Sequence, residues 1–196
     1  MSQLKHGTKK GGLKLEISDA ILVAVKEAGD NVLGRTSIQK LIYFLSIFGK
    51  VDVKYLPHYY GPYSADVAGS IQMLSSINFL DEKVETQQST GYSVPENWRR
   101  YLYSISEDGE QIIQQLKESN EKEYNEISRI IRQFETVNYN PEVLSWAAKV
   151  NYIISKKGAS MTPEAIINTA GSFGWKLTEE QVDSAIEILK NLNLCK

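Results

Sequence analysis

Gly34-Arg35-Thr36-Ser37-Ile38-Gln39-Lys40-Leu41-Ile42-Tyr43-Phe44-Leu45-Ser46-Ile47-Phe48-Gly49 is the best-defined stretch of the sequence. Ile38, Leu41, Ile42, Leu45 and Phe48 recur at spacings of three and four, which predicts one apolar helix face over residues 36–48. Thr36 suits the cap and Gly49 the stop. Phe44 and Ile47 fall outside that stripe, and a helix apolar nearly all round is central to its domain or covered by something else. On a helical projection Gln39 and Tyr43 share one flank, while Lys40 lies on the other and reads equally as a solvated side chain.

Upstream, residues 17–28 read as a helix stopped by Gly29-Asp30-Asn31. Downstream, residues 51–60 look extended and rich in Val and Tyr, and Gly61-Pro62 breaks them. Ser64 then caps a third helix with Val67, Ala68, Ile71 and Leu74 facing inward. Residues 80–86 and 101–106 read as two strands joined by a polar segment, with Tyr101, Tyr103 and Ile105 alternating against Leu102 and Ser104. Three helices followed by a hairpin is the order of a winged helix-turn-helix. Here, however, some fifteen residues, Gly49 to Tyr63, separate the second and third helices, where a DNA-binding helix-turn-helix has about 3–4. The expectation is therefore winged-helix-like.

Residues 107–135 repeat with helical period, as one long helix or two broken near Ser119-Asn120, with Ser106 as N-cap ahead of Glu107 and Asp108. Asn138-Tyr139-Asn140-Pro141 reads as a boundary. Three helices follow: one over residues 141–156, one opened by Thr162-Pro163-Glu164, and one opened by Thr178 with Gln181 in capping-box position. The expected fold is mainly α with a small β-hairpin, an α+β protein. Its expected divisions are a loose basic tail (1–14), a winged-helix-like module (15–118), an acidic connecting helix (119–137) and a C-terminal helix-turn-helix-like module (138–196).

The chain has 196 residues, 42% hydrophobic and 23% charged, which excludes wholly disordered and collagen-like classes. Its net charge of −2 argues against a uniformly basic nucleic-acid binder. That small total conceals a tail with four Lys and no acid, and a segment over residues 101–140 with eight acids against four bases. No run approaches the ~18 apolar residues that span a bilayer, and residues 1–14 lack the apolar core of a signal peptide. One Cys allows no internal disulfide, and two His alone assemble no metal site. A reducing cytoplasm is the expected compartment.

The sequence lacks the pattern of an active site. Gly11-Gly12 and Gly171-Ser172-Phe173-Gly174 lack the Lys and Ser/Thr of a phosphate-binding loop, and Cys195 sits one residue from the end of the sequence. The acids of residues 107–135 read as a solvated helix face. A non-catalytic protein without cofactor or metal is expected. The densest feature is Tyr55-Leu56-Pro57-His58-Tyr59-Tyr60-Gly61-Pro62-Tyr63-Ser64, which holds four of the eleven tyrosines. Two readings stay open: these aromatics plug the core between two helices, or they form a rigid epitope for a protein partner.

Gly34-Arg35 followed by Ile38-Gln39-Lys40-Leu41-Ile42-Tyr43, the His58 to Ser64 turn, Phe79-Leu80 and Tyr103-Ser104-Ile105-Ser106-Glu107-Asp108-Gly109-Glu110 together resemble the YwgA family of uncharacterised prokaryotic proteins. The resemblance covers about residues 17–118. That family is in turn similar to the SocA-like, or Panacea, antitoxin domain, matched here at Lys40, Leu41, Tyr43, Tyr60, Gly61 and Pro62. The remoter resemblance implies a mostly helical, protein-binding domain that neutralises toxins. The candidate partner-binding residues are Arg35, Gln39, Lys40, Tyr43, His58, Tyr60, Gly61, Pro62 and Tyr63. The alternative is a winged-helix transcription regulator with nucleic-acid contacts at Arg99 and Arg100. Against it, residues 64–76, the recognition-helix position, contain no Lys or Arg but do contain Asp66. For the C-terminal module the readings are a second DNA-reading bundle, a helical cap or a homodimer surface.

Overall fold

A computed structural model describes residues 14–29, 32–87, 98–158 and 161–195. Helix α1 (Ile17–Glu27) buries six consecutive residues, 20–25, so it is enclosed on every side and runs through the centre of the packing. Gly29, at φ +76°, turns the chain out of it. A two-residue strand β1 (Val32–Leu33) follows, too short to show alternation in the sequence.

Helix α2 spans Gly34–Ile47 and buries every residue from 37 to 45, polar ones included. Two expectations are corrected here. The helix begins at Gly34, at φ +71°, so Thr36 lies inside it and is not its cap. Lys40 is not solvated but 2% exposed. The stripe of Ile38, Leu41, Ile42 and Leu45 does face the core, but Phe44 is covered too, its ring 5.0 Å from that of Phe134.

The stretch after α2 is extended only in part. Strand β2 is Leu56–His58, and it pairs antiparallel with β3 (Gly61–Tyr63) in a separate two-stranded sheet. Ser64 accepts the Val67 amide and caps α3 (Ala65–Ser76), which buries Val67, Ile71 and Leu74. Strands β4 (Leu80–Gln87) and β5 (Trp98–Ile105) pair antiparallel from Leu80↔Ile105 to Gln87↔Trp98. Strand β1 lies on the other side of β5, Val32 opposite Tyr103, giving the order β1-β5-β4.

The acidic region divides at Asn120 into α4 (Glu107–Ser119) and α5 (Glu121–Arg132). Ser106 caps α4, with Glu107, Asp108 and Glu110 in its first turn against the positive helix end. Helix α5 turns Tyr124, Ile127, Ile130 and Ile131 inward. It is tied to α1 where the Tyr124 hydroxyl donates to Glu27 at 2.6 Å and Arg132 pairs with the same carboxylate. Burial alone would raise the Glu27 carboxyl, but these donors hold it below the ordinary range.

After a 3-10 turn, Glu135–Val137, the backbone takes φ +50° at both Asn138 and Tyr139. Asn140 then caps α6 (Pro141–Lys157). Helix α7 (Pro163–Ser172) is capped by Thr162, and α8 (Glu179–Asn191) carries the full Thr178–Gln181 capping box. Helix α6 packs on α2, and α7 and α8 pack on α6. Apolar side chains from Leu15 to Leu192 form one contiguous buried cluster. Among the described residues no helix is long and apolar enough to cross a membrane.

One polar contact inside the α2–α6 seam has an expected cost of removal. The Tyr43 hydroxyl donates to Asn151 Oδ1 at 2.8 Å, with both residues 3% exposed. Tyr43→Phe leaves that oxygen buried without its donor, which should cost about 1–2 kcal/mol. Urea unfolding measures it; an unchanged midpoint would show that Asn151 finds another partner.

Candidate functional site

The β2–β3 hairpin is a poor structure on local grounds. It has three residues a side, and Pro57 faces Pro62 in the register, so neither member of that pair has an amide to donate. A two-stranded ribbon this short is not stable alone. It is held instead by side chains from elsewhere, and they grip every second carbonyl. Trp175 Nε1 donates to the His58 carbonyl at 2.7 Å, Ser145 Oγ to Tyr60 at 2.9 Å, Lys40 Nζ to Pro62 at 2.7 Å and Gln39 Nε2 to Ser64 at 2.8 Å. The Ser64 amide returns a bond to Gln39 Oε1 at 3.1 Å, so that amide side chain engages the backbone at both ends.

Gly61 is required at the turn for two reasons. Its φ is +95°, and a Cβ there would lie 3.1 Å from Lys149 Cγ and 3.6 Å from Lys40 Cε. The Lys40 ammonium is therefore enclosed beneath the turn. Burial brings its pKa down to about 7, with repulsion from Lys149 adding to the shift.

The outer side of the hairpin is bare. Leu56 is 73% exposed, Tyr59 74%, Tyr60 58% and Tyr63 36%. The Tyr59 and Tyr60 rings meet edge to face at 4.9 Å, and His58 packs on Tyr63 at 5.1 Å. Of the four tyrosines in the motif, Tyr55 is the one that plugs a seam, its ring 5.1 Å from that of Tyr43. A large exposed aromatic area on a held backbone can recognise a partner surface at low entropic cost.

The residues singled out in the sequence thus separate by role. Gln39, Lys40, Gly61 and Pro62 are buried parts of the hairpin's support, and Tyr43 ties α2 to α6. His58, Tyr60 and Tyr63 face solvent. Arg35 is not brought to the hairpin: its Nε donates to the Tyr103 hydroxyl at 2.7 Å and its Nη2 to Glu82 at 3.0 Å, while its guanidinium covers the Tyr101 ring at 5.2 Å. Burial would raise the Glu82 carboxyl, but bonds from Tyr103 and Arg35 hold it below its ordinary value. Arg99 and Arg100 occupy backbone positions on β5 opposite Thr86 and Glu85, and their side chains lie outside the described residues, as does the tail over residues 1–13.

Sequence reading misses Ser145 and Trp175. Ser145 is buried in α6 among apolar neighbours, and Trp175 follows Gly174 in a short loop after α7. A Trp beside Gly between two helices is the available signal. Among the described residues, no three His, Cys, Asp or Glu side chains converge as metal ligands would.

These elements define a mainly helical α+β protein with two small antiparallel sheets and an exposed, pinned aromatic hairpin. Over 94 residues the chain is 34% identical to the uncharacterised protein YwgA of Bacillus subtilis (strain 168), a match covering 46% of this chain and 50% of that protein. It therefore spans about half the length of the curated relative it matches, in agreement with a YwgA-like resemblance. No protein-family model matches the chain.

Proposed function

We propose that the protein is a non-catalytic interaction module that presents the β2–β3 hairpin to a protein partner, in the manner of a regulatory or antitoxin-like domain. One observation carries the reading: four exposed apolar or aromatic side chains stand on a backbone whose alternate carbonyls are held from beneath. Rigid aromatic anchors lose little conformational freedom on binding and are favoured at the centres of interfaces. The support residues Gln39, Lys40, Gly61 and Pro62 act here by positioning, and Tyr59, Tyr60 and Tyr63 by contact.

The test is affinity capture from a native prokaryotic lysate with the tagged chain and with Tyr59→Ala/Tyr60→Ala. Both side chains are mostly in solvent, so the variant should melt within about 3 °C of the parent while losing the co-purifying protein. Identical captures from the two chains would overturn the reading.

A second reading, a winged-helix DNA binder, draws on one observation. What supports it is the order of three helices with a first strand between α1 and α2 and the sheet order β1-β5-β4, the arrangement a winged helix would need. Helix α3 would be the reading helix, and it offers no Lys or Arg. A gel shift titrated with salt separates the two, because phosphate-driven binding weakens steeply as salt rises.

A further inference from the structure

An open cleft of about 740 Å3 runs between the hairpin and the C-terminal helices. Its sides come from parts of the chain far apart in sequence: Tyr59 and Tyr60 from the hairpin, Trp146 and Lys149 from α6, and Trp175 and Lys176 from the loop before α8. Volumes of about 300–1,000 Å3 are typical of ligand-binding clefts. This one opens onto the exposed hairpin, so an occupant could extend from it across Tyr59 and Tyr60.

Its charge runs against that of the protein. The chain carries −2 overall, yet the cleft has two cations, Lys149 and Lys176, against the single carboxylate of Glu142. The Lys149 ammonium sits 5.9 Å from the centre of the Trp175 ring. The indole beneath it is 2% exposed and locked by its bond to His58, so the cation is held over a fixed surface. Lys176 is in solvent at the rim. Two separated lysines are too few to track a nucleic-acid backbone, which requires a continuous run of phosphate contacts. Aromatic walls with one cation held over an indole and a second at the rim instead match a polypeptide that alternates apolar and acidic side chains.

We propose that this cleft binds a short acidic segment of a partner protein, an apolar side chain lying against the aromatic lining and carboxylates meeting Lys149 and Lys176. The assignment rests on the reading of the chain as a protein-interaction module and gives that partner its chemistry. The carboxylate contacts lie at the edge of a solvent-open site, so binding weakens with salt.

The test is to select twelve-residue peptides from a random display library on the immobilised full chain and to measure the winners by fluorescence anisotropy. Enriched peptides should be acidic and contain an aromatic or branched apolar residue. Lys149→Glu/Lys176→Glu should raise their Kd about tenfold. Because the Lys149 stem packs under Gly61, Lys176→Glu alone serves as a second variant that leaves this packing untouched; it should raise Kd about threefold. Enriched peptides that are neutral or basic, or that are indifferent to both lysine variants, overturn the cleft assignment. If such peptides are still lost in Tyr59→Ala/Tyr60→Ala, the interaction module survives and only its partner chemistry falls. Failure to enrich any peptide overturns the assignment as well, and the lysate capture then decides the module separately. Lysine-dependent binding of a twelve-nucleotide dT oligomer in place of peptides would transfer the cleft to single-stranded nucleic acid and overturn the proposal.

Discussion

Gly109→Ala should destabilise the protein by about 3 kcal/mol, although the substitution improves helix propensity by about 1 kcal/mol. Gly109 is the third residue of α4, immediately inside the Ser106 cap, and its conformation is ordinary helix. The obstacle is spatial. A Cβ built there would overlap the Phe79 carbonyl oxygen and lie 3.0 Å from Ile105 Cγ2 and 3.2 Å from the Phe79 carbonyl carbon. That carbonyl cannot move cheaply: it accepts the Ser106 amide at 3.3 Å, and the Phe79 amide donates to Leu74 at 2.9 Å at the end of α3. The backbone of α4 and the approach to β4 are thus in direct contact, and a methyl group would have to separate them.

Gly69→Ala supplies the opposing control. Gly69 lies in α3 with nothing within 4 Å of a built Cβ. Propensity alone acts there, and stability should hold or rise by about 0.5–1 kcal/mol. Urea unfolding of the two variants side by side checks both signs. Equal shifts would mean that the close approach to Phe79 relaxes without cost.

Stability should also rise with pH, by about 2 kcal/mol between pH 7 and pH 9, and Lys40→Met should flatten the slope. Burial brings the Lys40 ammonium down to about 7 from its ordinary 10.5. Between those limits the unfolded chain holds a proton that the folded chain has released. The unfolded state then binds more protons, and stability increases with pH at up to about 1.4 kcal/mol per unit. Below about 7 the lysine is charged in both states, and its burial penalty is felt in full.

Other groups limit the window. Lys149, lowered by burial, adds a contribution of the same sign, and Cys195, raised by burial, acts the opposite way toward pH 9. Above about pH 10 the raised phenols of Tyr43, Tyr55, Tyr103 and Tyr124 reverse the trend, because the unfolded chain ionises them first. Lys40→Met also leaves the Pro62 carbonyl without its donor, which changes the level of the curve but not its slope. Urea midpoints at pH 7, 8 and 9 and constant ionic strength measure the effect. A flat parent curve contradicts it, and a slope retained in Lys40→Met assigns the titration to Lys149.

Much of the element order is legible in the sequence because its causes are local. Ser64, Ser106, Thr162 and the Thr178–Gln181 pair cap the helices that their spacing predicts, and the acidic region breaks at Asn120. The start of α2 is less so, because Thr36 is an acceptable cap by type, whereas Gly34 at φ +71° turns the chain two residues earlier. The short hairpin is legible only as an extended stretch and a break. Its pairing depends on donors that no local pattern reveals: Lys40 lies 22 residues from Pro62, Ser145 85 from Tyr60 and Trp175 117 from His58.

By itself the sequence determined where most of the helices begin and end, that the protein is mainly α with a small β component, and that an aromatic motif with a Gly-Pro turn stands between the second and third helices. Caps, periodicity and turn residues act over a few positions, and a single strand of text records them. Only the tertiary structure decided which tyrosines are core and which are surface, that Lys40 is enclosed and not solvated, and that Arg35 belongs to the sheet and not to the hairpin. Burial is a property of what packs against a residue. Here α6 and the Trp175 loop hold the hairpin backbone from 85 and 117 residues away.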